Sequence, residues 1–216
     1  MPAMYHLVYF DLRGRAEPIR LIFKQAGVDF TEERVKTGDP EEWAKYKDKN
    51  QEKIAFGQLP VLELDNGVTL CQSLAIARFL GRRFGLSGED ALQEAKMDMM
   101  ADAMEDYIRD IRQWIFDRMS GADDDKLTQD KAEYAQKTNN CLKRLSAFLK
   151  DNGGNWLVGN KVSWVDLYTA EWLNLFQTKM DSTFLDDYVD LQLYAKRVYD
   201  LPDIKEYVQS RKDTVF

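Results

Sequence analysis

The sequence of 216 residues is poor in the side chains that bind metals or act as nucleophiles, with one histidine and two cysteines. Zinc sites combine several histidine and cysteine ligands, and a Ser–His–Asp or Cys–His mechanism needs a histidine beside the nucleophile. His6 lies inside a predicted strand, and the spacing of Cys71 and Cys141 matches no metal or redox motif. These shortages argue against a metalloenzyme and against both nucleophilic mechanisms.

The sequence also lacks a net positive charge and long apolar runs. The net charge is −7, whereas nucleic-acid binding requires a basic face. No stretch approaches the roughly 20 apolar residues of a membrane span. The N-terminus also lacks the basic and then apolar segment of a secretory signal. We therefore expect a cytoplasmic protein with buried, reduced cysteines and no nucleic-acid or membrane partner.

Residues 4–27 are the stretch around which the rest is organised, and they read as a strand, a turn and a helix. Aromatic and β-branched residues begin it, and apolar residues at helical spacing follow from Ile19 to Ala26. Pro18 is tolerated only in a first helical turn, so the helix begins at about Ala16. Because ligands bind at the carboxyl ends of strands in open α/β sheets, Tyr9 is a candidate catalytic hydroxyl.

The remaining N-terminal segments complete a β-α-β-α-β-β-α pattern with a mixed four-stranded sheet. Alternation, turn residues and helix-start signals predict the elements. They are a strand at 28–35, a helix near 40–48, a strand after Pro60, a hairpin turn at 65–67, a strand at 68–71, and a helix capped by Gln72-Ser73 that runs to about 84.

After residue 87 the pattern predicts helices only. They cover 89–119, about 128–150, a segment that begins at Ser163, 187–199 and 203–211. Ser163 and Asp166 have the spacing of a capping box. The acidic run 123–125 reads as a solvated loop. We therefore predict an α/β domain over residues 1–85 and an all-helical domain over residues 86–216.

The N-terminal pattern, with a proline before its third strand, resembles the thioredoxin fold. Redox members of that fold carry Cys-x-x-Cys at the start of the first helix, where this chain has residues 12–15, Leu-Arg-Gly-Arg. Dithiol exchange is therefore excluded. The fold that remains is one that can hold a peptide-like thiol ligand beside the proline.

Four motifs, in order, resemble those of the cytosolic glutathione S-transferases. They are Tyr-Phe-Asp-Leu-Arg-Gly-Arg-Ala-Glu at 9–17, Gly-Gln-Leu-Pro at 57–60, Gln-Ser-Leu-Ala-Ile-Ala-Arg at 72–78 and Ser-Trp-Val-Asp at 163–166. The first is similar to the sigma class, which includes glutathione-dependent prostaglandin D synthases. The resemblance covers the whole chain and implies a thioredoxin-like domain followed by an all-α domain.

The resemblance assigns the chemistry to Tyr9 and Arg15. It implies that the Tyr9 hydroxyl bonds the glutathione sulfur and that the charge of Arg15 favours the thiolate. Since a free thiol has a pKa of about 8.5, a donor aimed at the sulfur increases the reactive fraction at neutral pH.

The resemblance also implies a glutathione site with contributions from two subunits. The implied contacts are Trp43, Lys47, Gln58, Leu59, a cis Pro60, Gln72, Ser73 and, from the partner subunit, Asp106. Lys45, Lys49 or Lys53 remain alternatives to Lys47, because the stretch between Trp43 and Gly57 is longer than expected.

Further expectations from the resemblance concern the second substrate and the assembly. A small hydrophobic electrophile would bind in a pocket lined by Phe10, Tyr107, Ile111 and Trp114. In prostaglandin synthases of the sigma class, acidic residues such as Asp102 and Glu105 can bind a divalent cation, but we expect no metal here. The implied assembly is a homodimer.

The implied function is glutathione transfer to hydrophobic electrophiles, as in detoxification, with glutathione as co-substrate. Two alternatives stay open. One is a glutathione-dependent prostaglandin isomerase, and the other is a non-catalytic ligand-binding or structural relative.

Overall fold

The computed structural model describes residues 4–36, 38–214 and 216. Its chain divides into two compact units. The α/β unit runs to Leu86 and includes Pro202–Thr214, and the helical unit comprises Ser87–Leu201 and Phe216. The sequence placed the last helix in the helical domain, whereas here it lies with the α/β unit because it packs on the first helix.

The α/β unit contains the expected mixed sheet of four strands. They are β1 (Tyr5–Phe10), β2 (Thr31–Val35), β3 (Val61–Leu64) and β4 (Thr69–Cys71), in the spatial order β2-β1-β3-β4. Strand β1 is parallel to β2 and antiparallel to β3, and β3 is antiparallel to β4. β1 is therefore an inner strand, which accounts for its nearly continuous burial. The predicted fold class is confirmed.

Three helices connect these strands: α1 (Glu17–Gln25), α2 (Pro40–Lys49) and α3 (Ser73–Arg83). A 3₁₀ turn at Gly14–Ala16 precedes α1. The Asp39 carboxylate caps α2 as predicted, by accepting hydrogen bonds from two amides of the first turn.

Two local predictions in this unit were wrong. β2 begins at Thr31 rather than at residue 28, because the Val28 amide still bonds the Phe23 carbonyl at the end of α1. Ser73 is not the N-cap of α3. Gln72 occupies that position with φ 72° and without a side-chain cap bond, so Ser73 is already the first helical residue.

The helical unit contains α4 (Ala91–Asp110), α5 (Arg112–Met119), α6 (Asp124–Asp151), α7 (Trp164–Leu175) and α8 (Val189–Tyr199). A π-helical turn, Phe176–Met180, extends α7. Both hydrogen bonds of the predicted capping box at Ser163 and Asp166 are present.

The structure corrects two helix predictions here. The expected helix at 89–119 is broken at Ile111, whose φ and ψ of −96° and 12° leave the helical region. Helix α6 begins at Asp124 instead of near 128, with Asp123 as its cap. The acidic run is therefore a helix start, where carboxylates are favourable next to the helix dipole.

The last helix, α9 (Pro202–Ser210), buries Ile204 completely. Cys71 and Cys141 are reduced, as expected. They are half-buried, whereas the sequence predicted that they would be buried. Among the described residues, no helix is long and apolar enough to cross a membrane.

Candidate active site

Tyr9 lies at the carboxyl end of β1 with only 6% of its surface exposed. The backbone amide of Arg15 donates a hydrogen bond to the Tyr9 hydroxyl oxygen at 3.0 Å. Burial raises the pKa of Tyr9 above its ordinary value, against the opposing effects of this amide and the Arg15 charge. The hydroxyl therefore keeps its proton at neutral pH and can donate a hydrogen bond to an anion.

Gly14 makes the contact between Arg15 and Tyr9 sterically possible. Its φ is +40°, and a Cβ at this position would lie 2.8 Å from the Tyr9 hydroxyl oxygen and 2.6 Å from Leu12 Cδ1. No larger residue fits unless both of these contacts change. We refer to residues 11–16, which carry this glycine and the donating amide, as the Tyr9 turn.

The sheet register brings three of the predicted motifs to one end of the sheet. Val8 pairs with Val61, and Val61 pairs with Cys71. One residue further, beyond the last pairs, Tyr9, Pro60 and Gln72 follow on three neighbouring strands. The Leu59–Pro60 peptide bond is cis, as the resemblance implied. The tyrosine, the proline loop and the helix start thus share one end of the sheet.

The Gln72 backbone is strained at this end of the sheet. It has φ +72°, the one positive value among the described non-glycine residues. Such conformations cost about 1–3 kcal/mol and occur most often at functional sites. Gln72 is exposed and Ser73 is 7% exposed at the start of α3. The first backbone amides of this helix can donate hydrogen bonds to a carboxylate.

Helix α2 places Trp43 and Lys47 one turn apart on the same face. The Lys47 Nζ lies 5.4 Å from the centre of the Trp43 ring, and that ring contacts the Phe10 ring at 5.0 Å. Lys53 instead bonds both oxygens of Glu63 at 2.9 Å. This pairing favours Lys47 over Lys53 as the cation beside Trp43. Gln58 is exposed, and Leu59 and Pro60 are buried.

The predicted residues of the helical unit are packed within that unit. Asp106 on α4 is exposed and forms an ion pair with Arg109 at 3.3 Å. The Tyr107 hydroxyl contacts Thr138 at 3.0 Å, Ile111 is fully buried, and the Trp114 ring stacks on Tyr134. No group of three or more potential metal ligands occurs among the described residues.

Comparison with known proteins adds a family to this geometry. Residues 5–82 match the N-terminal domain of glutathione S-transferases, and residues 109–211 match their C-terminal domain. The chain is 37% identical over 215 residues to glutathione S-transferase 1 of Ascaris suum, with 98% of each chain covered. The chain belongs to the glutathione S-transferase family. It is accordingly a glutathione transferase, with glutathione as its co-substrate.

Solved structures of the family are similar over almost the whole chain. A glutathione S-transferase from the hookworm Necator americanus, described as monomeric, is 36% identical, with a TM-score of 0.88 and coverage of 99% and 100%. A Nu-class enzyme from Haemonchus contortus is 33% identical, with a TM-score of 0.85 and the same coverage. A prostaglandin synthase D from Nilaparvata lugens is 30% identical, with a TM-score of 0.82 and coverage of 97% and 100%.

Sequence reasoning missed two residues that shape the site. One is Gly14, whose only signal was a glycine between two arginines in a turn. The other is Arg20, which is 1% exposed and donates to the Leu12 carbonyl at 3.0 Å. A cation on the apolar face of a helix, three residues after Glu17, was the available sign of a buried ion pair.

Proposed function

We propose that Tyr9 activates glutathione by donating a hydrogen bond to its sulfur. The observation that supports this proposal is that Tyr9, Pro60 and Gln72 lie together at one end of the sheet. The Arg15 amide already occupies one side of the Tyr9 oxygen, so the hydroxyl proton is oriented away from that amide. A donor held in a buried site stabilises a thiolate with little reorganisation.

In this proposal, glutathione lies along this end of the sheet. The main chain of Leu59 contacts the cysteinyl part, with Gln58 beside it. Gln72 and Ser73 bind the γ-glutamyl part with the help of the α3 amides, and Trp43 and Lys47 hold the glycine carboxylate. The charge of Arg15 supports the thiolate, and Asp106 of a partner subunit reaches the γ-glutamyl amine.

The thiolate attacks the electrophilic carbon of a small hydrophobic substrate, so the role we propose is detoxification by a cytoplasmic homodimer. Phe10, Tyr107, Ile111 and Trp114 remain the predicted pocket residues. The sigma class remains our proposed class, and the Nu-class relative is the alternative. A prostaglandin isomerase is the second candidate function, which the similarity to prostaglandin synthase D supports.

Replacement of Tyr9 by phenylalanine tests the proposal. Turnover of an activated aryl halide should fall about 100- to 1,000-fold, because one buried donor to the reacting anion is lost. Glutathione affinity, measured by calorimetry, should change little. Tyr5→Phe is the matched control, since it removes a buried hydroxyl from the same strand. Equal turnover in the Tyr9→Phe variant and the unmodified protein would refute the assignment.

A further inference from the structure

The Tyr9 turn is tied at both ends to two consecutive residues near the end of the chain. Arg211 Nη1 donates to Glu17 Oε1 at 3.0 Å, directly after the turn. Lys212 forms an ion pair with Asp11, the first residue of the turn. We name residues 207–212 the C-terminal strap. All of these residues belong to the α/β unit.

Glu17 connects the C-terminal strap to a buried arginine, Arg20. Its second carboxylate oxygen accepts from Arg20 Nη1 at 2.7 Å, and both side chains are at most 2% exposed. Burial alone would raise the pKa of Glu17, but the charges of Arg20 and Arg211, with smaller contributions from the Arg20 hydrogen bond and the Arg13 charge, lower it. The carboxylate is therefore ionised and holds two cations at once. Ionic hydrogen bonds of this kind are short and directional.

Arg20 in turn holds the backbone of the Tyr9 turn. Its Nη1 donates to the Leu12 carbonyl at 3.0 Å and, at 3.5 Å, to the Arg13 carbonyl. Its Nε donates to Glu32 on β2 at 2.7 Å, which fixes the guanidinium against the sheet. The restrained carbonyls come directly before Gly14 and the Arg15 amide. That amide contacts the Tyr9 oxygen, so the chain of contacts ends at the proposed catalytic hydroxyl.

We propose that the C-terminal strap is a positioning device for thiol activation, with Arg211 as its principal residue. Arg211 acts on Tyr9 through Glu17, Arg20 and the carbonyls of the Tyr9 turn, and it does not touch the substrate. Lys212 restrains the other end of the turn through Asp11. The inference rests on the proposed role of Tyr9, because the strap positions that hydroxyl.

The test compares Arg211→Met with Arg211→Lys, Lys212→Met and the control Lys205→Met. The control removes the same charge from an exposed position of α9. The pKa of glutathione bound to the enzyme is read from the ultraviolet absorbance of its thiolate. Steady-state kinetics separate kcat from KM, and thermal unfolding reports stability.

In Arg211→Met we expect kcat to fall about tenfold at neutral pH and the pKa of bound glutathione to rise by about one unit. This is less than the roughly 100-fold loss that a 1 Å misplacement can cause. The glutathione KM should change less than about twofold. Arg211→Lys should recover most of the loss. Lys212→Met should have a smaller effect, since its ion pair is more exposed.

Combination with Tyr9→Phe separates the two proposals. If the strap acts through Tyr9, Arg211→Met should have no further effect on the thiol pKa in a Tyr9→Phe background. A normal thiol pKa and kcat in Arg211→Met overturn the strap alone, even when the melting temperature falls. A normal thiol pKa in Tyr9→Phe overturns the role of Tyr9 and the strap together. An equal loss in Lys205→Met also overturns the strap, since charge alone then explains it.

Discussion

Each unit buries a carboxylate in the first turn of a helix, and the two carboxylates have opposite kinds of partner. Glu17 in the α/β unit is held by the cations Arg20 and Arg211. Asp166 in the helical unit is held by neutral donors: the amides of Leu157 and Ser163 and the hydroxyls of Ser163 and Tyr194. Both residues are at most 1% exposed.

The difference in partners changes the protonation of these two carboxyl groups. Burial raises the pKa of Asp166 to about 6, and the four neutral donors oppose it only in part. Burial also acts on Glu17, but the positive charges of Arg20, Arg211 and Arg13 and the hydrogen bond from Arg20 reverse its effect and lower the pKa. The comparison teaches that a similar depth of burial gives opposite shifts, according to whether the partners are ions or dipoles.

Removal of the Asp166 carboxylate should have the largest effect on stability. Asp166→Ala leaves three buried donors without an acceptor, and each such group costs about 1–3 kcal/mol. The Tyr194 hydroxyl keeps its 3.3 Å contact with the backbone carbonyl of residue 166. We expect the free energy of unfolding to fall by about 5 kcal/mol in urea denaturation. Asp166→Asn keeps one acceptor oxygen and should lose less. Equal losses in the two variants would contradict the view that accepting oxygens are what this site needs.

Neutralisation of Glu17 should have the next largest effect. Glu17→Gln keeps the side-chain volume but leaves the buried Arg20 with one carboxylate partner fewer, and loss of a buried ionic partner costs about 3–5 kcal/mol. We expect about 3 to 4 kcal/mol in the same assay, with a loss of turnover since the Tyr9 turn is loosened. Glu41→Gln, an exposed residue of α2, is the control and should lose less than about 0.5 kcal/mol.

The pH dependence of stability should differ in sign between the two sites. The pKa of Asp166 is higher in the folded state than the unfolded value of about 3.9, so its contribution is full below about pH 4 and lost as the pH rises through about 6. The pKa of Glu17 is lowered by folding, so its contribution is present above the unfolded value of about 4.3 and lost as the pH falls.

Denaturation across this pH range measures both contributions against their amide variants. The stability gap between the protein and Asp166→Asn should shrink by about 2 to 3 kcal/mol from about pH 4 to pH 7. The gap between the protein and Glu17→Gln should shrink on acidification instead. Gaps that move in the same direction would show that the contrast between ionic and dipolar partners is mistaken.

Gly14→Ala should have the smallest effect on stability but a clear effect on activity. The added methyl group meets the Tyr9 hydroxyl oxygen at 2.8 Å, and the positive φ is unfavourable for alanine. Strain of this kind costs about 1–3 kcal/mol, and we expect about 1 to 2 kcal/mol here. Turnover should fall more than tenfold because the Arg15 amide is displaced. Gly27→Ala also has a positive φ but meets no atom within 4 Å, so its turnover should stay normal.

The two carboxylates also show how much could be predicted from the sequence. The Asp166 box was predictable, because its principal partner Ser163 lies three residues away and the spacing is a known helix-start signal. The Glu17 site was predictable only in part, because Arg20 lies three residues away but its other partner, Arg211, lies 194 residues away. No local pattern indicates a pairing over that distance.

The candidate site and the helix break were likewise predictable only where a local sequence pattern signals them. Tyr9 and Pro60 could be assigned because short motifs carry them, and the four-stranded sheet followed from alternation. The row of Tyr9, Pro60 and Gln72 depends on the register of three strands, which only the structure shows. The break at Ile111 has neither proline nor glycine to signal it, so the apolar period predicted an uninterrupted helix.

The discontinuity of the α/β unit has a consequence for folding during synthesis. Residues 202–214 complete this unit, although the whole of 87–201 is made in between. The sheet and α1 can form early on the ribosome, but the surface of α1 that packs against α9 stays open until almost the entire chain has emerged. Closure of so long a loop costs less entropy when the intervening residues have already folded. The helical unit should therefore fold before the α/β unit is complete.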